Sequence, residues 1–203
     1  MATGYLIPAQ TFRAEIVVVN SRFITSIGYA PTVDDARAFL SAVRAEMHDA
    51  SHNIYAYRVG YGNSVIESMG DDGEPSGTAG PPALAVLRGV DIGDTIVVIT
   101  RYFGGTLLGT GGLVRAYTEA AQVGLAGVPK ERKIERKIVG LDTPYSFYQP
   151  IRRLYEQFEA TSVEEDFAGD ITITAKFPVD NIDGFTAEVI ELTAGHVHPV
   201  ILE

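Results

Sequence analysis

The run Thr95–Phe103 (TIVVITRYF) is the feature that most constrains the fold. Every residue in it except Arg101 is β-branched or aromatic, which is the composition that strands favour. Because the run has no polar alternation, we expect a central strand that other elements cover on both faces. A chain with such a strand must build a layered unit of sheet and helices around it.

The segments on either side of this run predict one α+β unit. Shorter apolar runs bounded by turn residues predict four more strands, at 11–19, 23–30, 53–59 and 64–68. A helix is predicted to begin after Thr32, where Asp35 completes a cap signal three residues on. A short helix is expected between Pro81 and Gly89, and a long helix at about 111–125.

Beyond the basic segment Lys130–Lys133 the predicted order of elements changes. It becomes strand, helix, two strands, helix and strand, at 134–141, 147–160, 162–167, 171–177, 182–193 and 197–202. This βαββαβ order is the ferredoxin-like arrangement. We therefore predict two domains, 1–129 and 133–203, which meet at the basic segment and have separate cores.

The composition argues against several classes of protein. The chain has no cysteine, so disulfides, thiolate metal sites and cysteine nucleophiles are excluded. Its formal net charge of -10 argues against a protein that coats nucleic acid, so any RNA contact must be local and salt-sensitive. The N-terminus has no signal-peptide pattern, and no apolar run approaches the roughly 20 residues that a membrane helix needs. We expect a cytoplasmic protein without a membrane partner.

The segment 71–80 (DDGEPSGTAG), which we call the acidic loop, is too rich in glycine and proline for a helix or a strand. It gathers carboxylates and hydroxyls as candidate site residues: Asp71, Asp72, Glu74, Ser76 and Thr78. Like charges this close repel one another unless a partner relieves them. A divalent cation on the three carboxylates would do so, because hard oxygen ligands suit it, and so would Arg101. The alternative is a solvated turn whose acids cap the next helix. No cofactor is expected to be required, and a divalent cation is the one candidate.

The segment after the central strand, which we call the glycine-rich loop (104–112), is flanked by two arginines. The candidate anion-binding residues of this region are Arg101, Gly104, Gly105, Gly109, Gly111, Gly112 and Arg115. Glycines that leave backbone amides uncovered ahead of a helix form nests for phosphate or carboxylate. Tight packing of the helix on the strand would require glycine equally well. No Lys-Ser or Lys-Thr pair follows, so the loop is not a Walker A motif.

Both arginines are expected to face one concavity that contains the carboxylates of the acidic loop. Arg101 ends the central strand, and ligands tend to lie at strand ends in layered folds. Its alternative role is an ion pair with the acidic loop. Arg115 falls in the first turns of a helix, where the helix dipole disfavours a cation by about 0.3 to 1 kcal/mol. An anionic partner would explain its position, whereas a surface pair with Glu119 is the alternative.

Together the motifs DDGEPSGTAG and TRYFGGTLLGTGGLVRAY resemble the signature of the YigZ/IMPACT family, and the likeness runs over about 21–125. The resemblance implies an N-terminal α+β sandwich of the ribosomal-protein type. It also implies a C-terminal domain similar to a ferredoxin-like domain of the translocation elongation factor. His52 occupies the family's histidine position before the second pair of strands, which makes it a candidate accessory residue; a hydrogen-bonded interior histidine is the alternative.

Two hypotheses about function remain open. The resemblance implies a non-enzymatic, translation-associated or regulatory protein, since the eukaryotic relatives restrain a stress kinase by competing for its ribosome-bound activator. Such a protein would bind RNA or a ribosomal component through Arg101, Arg115 and the glycine-rich loop, and protein partners also fit. The alternative is an enzyme that acts on a phosphorylated or carboxylated small molecule held between the two loops. A carboxylate pair in the acidic loop would then act as general acid and base, although the sequence does not fix their separation.

Overall fold

A computed structural model describes residues 4–202 of the chain. Contacts divide the chain into two compact units, one spanning Tyr5–Lys133 and the other taking in the chain from Ile134. The first unit contains these elements: β1 Tyr5–Pro8, β2 Phe12–Val18, β3 Ser21–Tyr29, α1 Val33–Glu46, β4 His52–Tyr61, β5 Ser64–Gly70, α2 Gly80–Arg88, β6 Thr95–Tyr102, α3 Gly109–Gly127 and β7 Lys130–Lys133. The described part of the chain has no helix that is both long and apolar enough to span a membrane.

The predicted central strand lies in the middle of a five-stranded antiparallel sheet in the order β2-β3-β6-β4-β5. Thr95–Arg101 of β6 are all buried, because both faces of the sheet are covered. Val97 and Ile99 pack into the cluster that contains residues of α2 and α3, whereas Ile96 and Val98 pack into the cluster that contains residues of α1. The unit is the predicted α+β sandwich.

The cap of α1 forms as the sequence predicted. Thr32 has extended backbone geometry, and its hydroxyl oxygen accepts a hydrogen bond from the Asp35 N–H at 3.1 Å. That bond satisfies one of the N–H groups that every helix start leaves without a partner. Because α1 starts at this fixed point, its C-terminal turn carries Arg44 to the side of the acidic loop, where Arg44 pairs with Asp72.

The basic segment Lys130–Lys133, interpreted from the sequence as a junction, is a strand. It pairs antiparallel with β1, with Tyr5 opposite Lys133 and Pro8 opposite Lys130. Asp94, which is 1% exposed, accepts hydrogen bonds from the Lys133 ammonium at 2.6 Å and from the Tyr5 hydroxyl at 2.7 Å. The alternating apolar pattern of a strand is missing from this segment, because its position depends on distant polar partners rather than on a buried apolar face.

The second unit has the predicted βαββαβ order: β8 Arg136–Thr143, α4 Tyr145–Gln157, β9 Thr161–Phe167, β10 Ile171–Pro178, α5 Val179–Leu192 and β11 Val200–Ile201. Its antiparallel sheet has the order β11-β8-β10-β9. Ile171, Ile173 and Phe177 alternate toward a core that also contains Ile151 of α4 and Phe185 of α5. This arrangement confirms the ferredoxin-like fold of the C-terminal domain.

Candidate functional site

Asp71, the first residue of the acidic loop, caps helix α2. Its carboxylate accepts hydrogen bonds from the backbone N–H groups of Gly77 at 2.8 Å, Ala79 at 3.0 Å and Gly80 at 2.8 Å. Burial alone would raise the pKa of Asp71, but the three N–H donors outweigh that effect and hold the pKa below its usual value. The carboxylate therefore organises the loop and the start of α2.

Asp72 fastens the acidic loop to its neighbours. One carboxylate oxygen pairs with Arg44 of α1, and the other accepts a hydrogen bond from the Asn53 N–H of β4 at 2.7 Å. Its backbone carbonyl lies 2.8 Å from Nδ1 of His52. A carbonyl only accepts, so Nδ1 of His52 carries the proton in this contact. The bond fixes the orientation of the imidazole, with Nε2 directed away from Asp72.

Glu74 forms a buried ion pair with Arg101. Oε1 of Glu74 accepts from Nη1 of Arg101 at 2.7 Å and from the Tyr117 hydroxyl at 2.8 Å, and the two charged side chains are 3% and 6% exposed. Nε2 of His52 lies 3.9 Å from the same oxygen. Burial, and after it the Glu74 carboxylate, raises the pKa of Tyr117 far above its usual range. The network joins the acidic loop to β6 and α3.

The structure thus gives the three acidic side chains different partners. Asp71 binds backbone amides, Asp72 binds Arg44, and Glu74 binds Arg101. Over residues 4–202, no three His, Cys, Asp or Glu side chains come together in a way that could hold a metal ion. Of the two hydroxyls, that of Thr78 donates to the Pro75 carbonyl at 2.6 Å, and Ser76 is exposed. Each of the three carboxylates is therefore held by its own partners within the fold.

A pocket of about 510 Å³, which we call the Arg101 pocket, opens beside the buried ion pair. Its polar wall contains His52, Glu74 and Arg101. Its apolar wall contains Phe103, Leu107, Leu108 and Leu113, and the first residues of α3, Gly109 and Thr110, complete the lining. This volume lies within the range of about 300 to 1,000 Å³ that is typical of small-molecule sites. Asp71 and Asp72 are not part of the lining.

The glycines of the glycine-rich loop fall into two groups. At Gly104 an added Cβ would lie 2.1 Å from the backbone carbon of Asn20, so this glycine is required by close packing. Gly105 and Gly109 have positive φ angles of 85° and 71°, and an added Cβ would meet nothing within 4 Å at either position or at Gly111. At Gly112 it would lie 3.1 Å from the Leu108 Cβ. Most of the loop is therefore open on the solvent side.

The N-terminus of α3 has no cap. Leu108 precedes the helix and supplies no side-chain hydrogen bond, and the first turn contains no acidic residue. Within the described chain, the N–H groups of Gly109, Thr110 and Gly111 have no hydrogen-bond acceptor. A helix end of this kind carries a partial positive charge. The Arg101 pocket therefore has an electropositive edge made of backbone rather than of side chains.

Arg115 lies outside the Arg101 pocket, contrary to the expectation that both arginines share one concavity. It is exposed and lines a second depression, which shares Leu107 and Leu108 with the pocket and also contains Val18, Val19, Gly112, Ala116 and Glu119. The reason is the helix period: Leu113 and Tyr117 face inward, and a residue two positions from each points about 200° away. In the part of the chain that the structure describes, Arg115 forms no ion pair, so the alternative of a surface pair with Glu119 is not observed.

Sequence reasoning missed several residues of this site. Tyr117 is the hydroxyl donor to Glu74, and Phe103 and Leu107 form the apolar wall of the pocket. Tyr117 lies four residues after Leu113 on the buried face of α3, so it carries a polar tip within an apolar stripe. That position could have indicated from the sequence that the Tyr117 hydroxyl has a buried hydrogen-bond partner. No comparable signal identifies Leu107, which is 86% exposed in an irregular loop.

Comparisons with known proteins find a family match within each of the two units. The family model described as the Impact N-terminal domain matches residues 19–125, and the domain of unknown function DUF1949 matches residues 141–196. An IMPACT family member of Haemophilus influenzae is 34% identical over 200 residues, which cover 98% of this chain and 97% of the relative. The IMPACT family member YigZ of Escherichia coli is 33% identical over 201 residues and 98% of each chain.

Solved structures give a consistent result for the fold. A crystal structure described as that of a hypothetical protein is 33% identical, with a TM-score of 0.72 over 100% of this chain and 98% of that chain. The two-domain translational regulator Yih1 is more distant, with 22% identity and a TM-score of 0.37 over 61% of this chain and 48% of that chain. The second likeness is too weak to carry an argument.

Proposed function

Because this chain belongs to the IMPACT family, we propose that it is a non-enzymatic, translation-associated regulatory protein that contacts a ribosomal component. Family membership supports the association with translation, because the resemblance implies eukaryotic relatives that act on a ribosome-bound activator. Proteins named IMPACT-B of Xenopus tropicalis and IMPACT of Danio rerio are 45% identical over 62 residues, which cover 30% of this chain and 19% of each relative. The described surface supports action by binding.

The single observation that carries the proposal is an exposed apolar surface around an arginine without an ion-pair partner. We call this surface the Arg115 patch; it consists of Val18, Val19, Leu107, Leu108 and Arg115, and Glu119 lines the same depression. Leu107 is 86% exposed and Val19 is 54% exposed. Apolar side chains clustered on a surface in this way mark interaction sites more often than they serve the fold. A recognition role explains both the leucine and the arginine.

The acidic loop supports binding rather than acid–base catalysis. Asp71 and Asp72 are held by partners within the fold, and the charge of Glu74 is balanced by Arg101. With Arg101 internal, Arg115 is the arginine left for a partner at this surface. One phosphate contact contributes a slope of only about -0.9 to the salt dependence of binding. The apolar part of the patch therefore favours a protein component of the ribosome over bare RNA.

Sedimentation of cell extract at low and moderate salt tests the proposal. We expect wild-type protein to move with ribosomal fractions at low salt, and the Arg115→Ala/Val19→Ser variant to remain in the supernatant. Arg37→Ala is the matched control, because Arg37 is a highly exposed arginine on α1, a different element. If wild type stays in the supernatant at low salt, or if the double variant sediments like wild type, the proposal is wrong. A steep salt dependence would indicate RNA instead.

A further inference from the structure

We propose that the Arg101 pocket binds a small molecule that carries one anionic group, a carboxylate or a phosphate, on an apolar body. The proposal rests on two halves of the pocket that require different chemistry. One half presents unpaired donors, and the other presents apolar side chains. It does not depend on ribosome contact, because the residues changed to test that contact, Arg115 and Val19, line a different depression.

The donor half begins with the uncapped end of α3. Gly109 and Thr110 line the pocket, and no acceptor in the described chain meets their N–H groups or that of Gly111. The helix has 19 residues, so its dipole is fully developed. An anion at this end would accept the free N–H groups and gain from the dipole. The open space at Gly109 lets a ligand approach the backbone closely.

A buried side chain supplies the second, independent indication of a ligand. Arg101 is 6% exposed and lines the pocket, yet its buried Nε atom has no hydrogen-bond partner. Because Arg101 balances Glu74, the pocket does not repel an anion.

The apolar half of the pocket determines the chemistry of the part of the ligand that carries no charge. Phe103 is 47% exposed and Leu107 is 86% exposed, and with Leu108 and Leu113 they form one wall of the pocket. A ligand that covers them removes apolar surface from water, which is worth about 25 cal/mol per Å². The guanidinium carbon of Arg101 lies 5.5 Å from the centre of the Phe103 ring, which holds this ring beside the polar wall. An aromatic or branched aliphatic acid fits both halves.

Gly111→Asp is the variant that tests the anion site without weakening the fold. At Gly111 an added Cβ meets nothing, so the aspartate is sterically tolerated. A carboxylate in the first turn complements the helix dipole, and it should raise or preserve the unfolding midpoint while repelling an anionic ligand. Gly111→Asn is the matched neutral control. If either variant fails to fold, Thr110→Asp and Thr110→Asn replace the pair.

The probes are phenyl phosphate, benzoate, inorganic phosphate and benzyl alcohol, each titrated into ¹⁵N-labelled full-length protein. We expect at least one aryl anion to shift the amide resonances of Gly109, Thr110, Gly111 and Phe103, with a Kd on the order of 1 mM. Inorganic phosphate and benzyl alcohol should each bind at least about tenfold more weakly, because each reaches only one half of the pocket. Comparing the affinities of phenyl phosphate and benzoate shows whether the site prefers a phosphate or a carboxylate.

The variants then decide the proposal. Gly111→Asp should weaken binding of the aryl anion at least about tenfold, while Gly111→Asn should stay within about threefold of wild type. The proposal is overturned if neither aryl anion shifts these resonances, if benzyl alcohol binds as tightly as the anions, or if Gly111→Asp binds like Gly111→Asn. Each result is read beside the unfolding midpoint of the same sample, so that loss of the fold is not mistaken for loss of the site.

Discussion

The acidic loop and the glycine-rich loop lie on either side of one pocket, and they differ in where their polar groups find partners. In the acidic loop, Asp71, Asp72 and Glu74 are all bonded within the fold. In the glycine-rich loop, the amides at the start of α3 have no acceptor in the described chain, and Arg115, three residues beyond the loop, has no ion-pair partner there. The more highly charged loop is therefore the structural one.

This difference shows that charge in a motif is a poor guide to its role. A carboxylate buried beside backbone amides or an arginine stabilises the fold because it accepts their hydrogen bonds. Backbone amides without an acceptor at a helix end make no such bonds within the fold, so a ligand can bind them. The following variants test whether the two loops differ as described, in order of decreasing expected effect.

Arg101→Met should have the largest effect, because it leaves the buried carboxylate of Glu74 without its cation. We expect a loss of about 3 to 5 kcal/mol in the free energy of unfolding, measured by urea denaturation. Arg101→Met/Glu74→Met removes both charges and should recover part of that loss. A cost below about 1 kcal/mol for the single variant would show that the pair does not hold the acidic loop.

Gly104→Ala should come next, since its Cβ would lie 2.1 Å from the backbone of Asn20. Overpacking against backbone costs up to about 3 kcal/mol. Gly111→Ala is the matched control within the same region: the site is open, so the better helix propensity of alanine should stabilise the fold by up to about 1 kcal/mol. Thermal unfolding of the two variants measures both effects. Equal destabilisation would mean that the whole glycine-rich region is needed for packing.

Asp71→Asn should cost about 1 to 2 kcal/mol at neutral pH, because it weakens the hydrogen bonds to Gly77, Ala79 and Gly80. The fold lowers the pKa of Asp71. The charged form therefore contributes stability that is complete above the ordinary pKa of about 3.9 and is lost as the pH falls through the folded pKa. Urea unfolding should show a constant difference between the two proteins from about pH 6 to pH 8, and a shrinking difference below about pH 4. A difference that persists unchanged in acid would assign the effect to something other than the charge.

The sequence predicted the parts of the molecule that depend on apolar periodicity. The buried run of β6 and the βαββαβ order are both read directly from spacing. Strand β7 was missed because its register depends on β1 and on Asp94, which are remote in the chain. The contact of Gly104 with Asn20 is also long-range, so the sequence could not tell a packing glycine from an open one.

The separation of Arg101 from Arg115 was missed for a different reason. The two arginines lie close along the chain, but Arg101 belongs to β6 and Arg115 belongs to α3. The helical period directs Leu113 into the Arg101 pocket and Arg115 to a different side of the helix. The residues of the helix were predicted, whereas its rotation about its own axis was not. That rotation is set by which side chains the sheet accepts, and it decides which arginine the pocket contains.

Arg115→Ala should have the smallest effect on stability, within about 0.5 kcal/mol of wild type. Arg115→Glu should be neutral or stabilising by up to about 1 kcal/mol, because a carboxylate near the start of a helix is favoured over a cation. Arg44→Ala is the control, since Arg44 is a partly exposed arginine whose pairing with Asp72 anchors the acidic loop, and it should lower stability measurably. Urea unfolding of the three variants compares an arginine that the fold uses with one that it leaves open. If Arg115→Ala costs more than Arg44→Ala, then Arg115 has a structural role, and the glycine-rich loop is as internally bonded as the acidic loop.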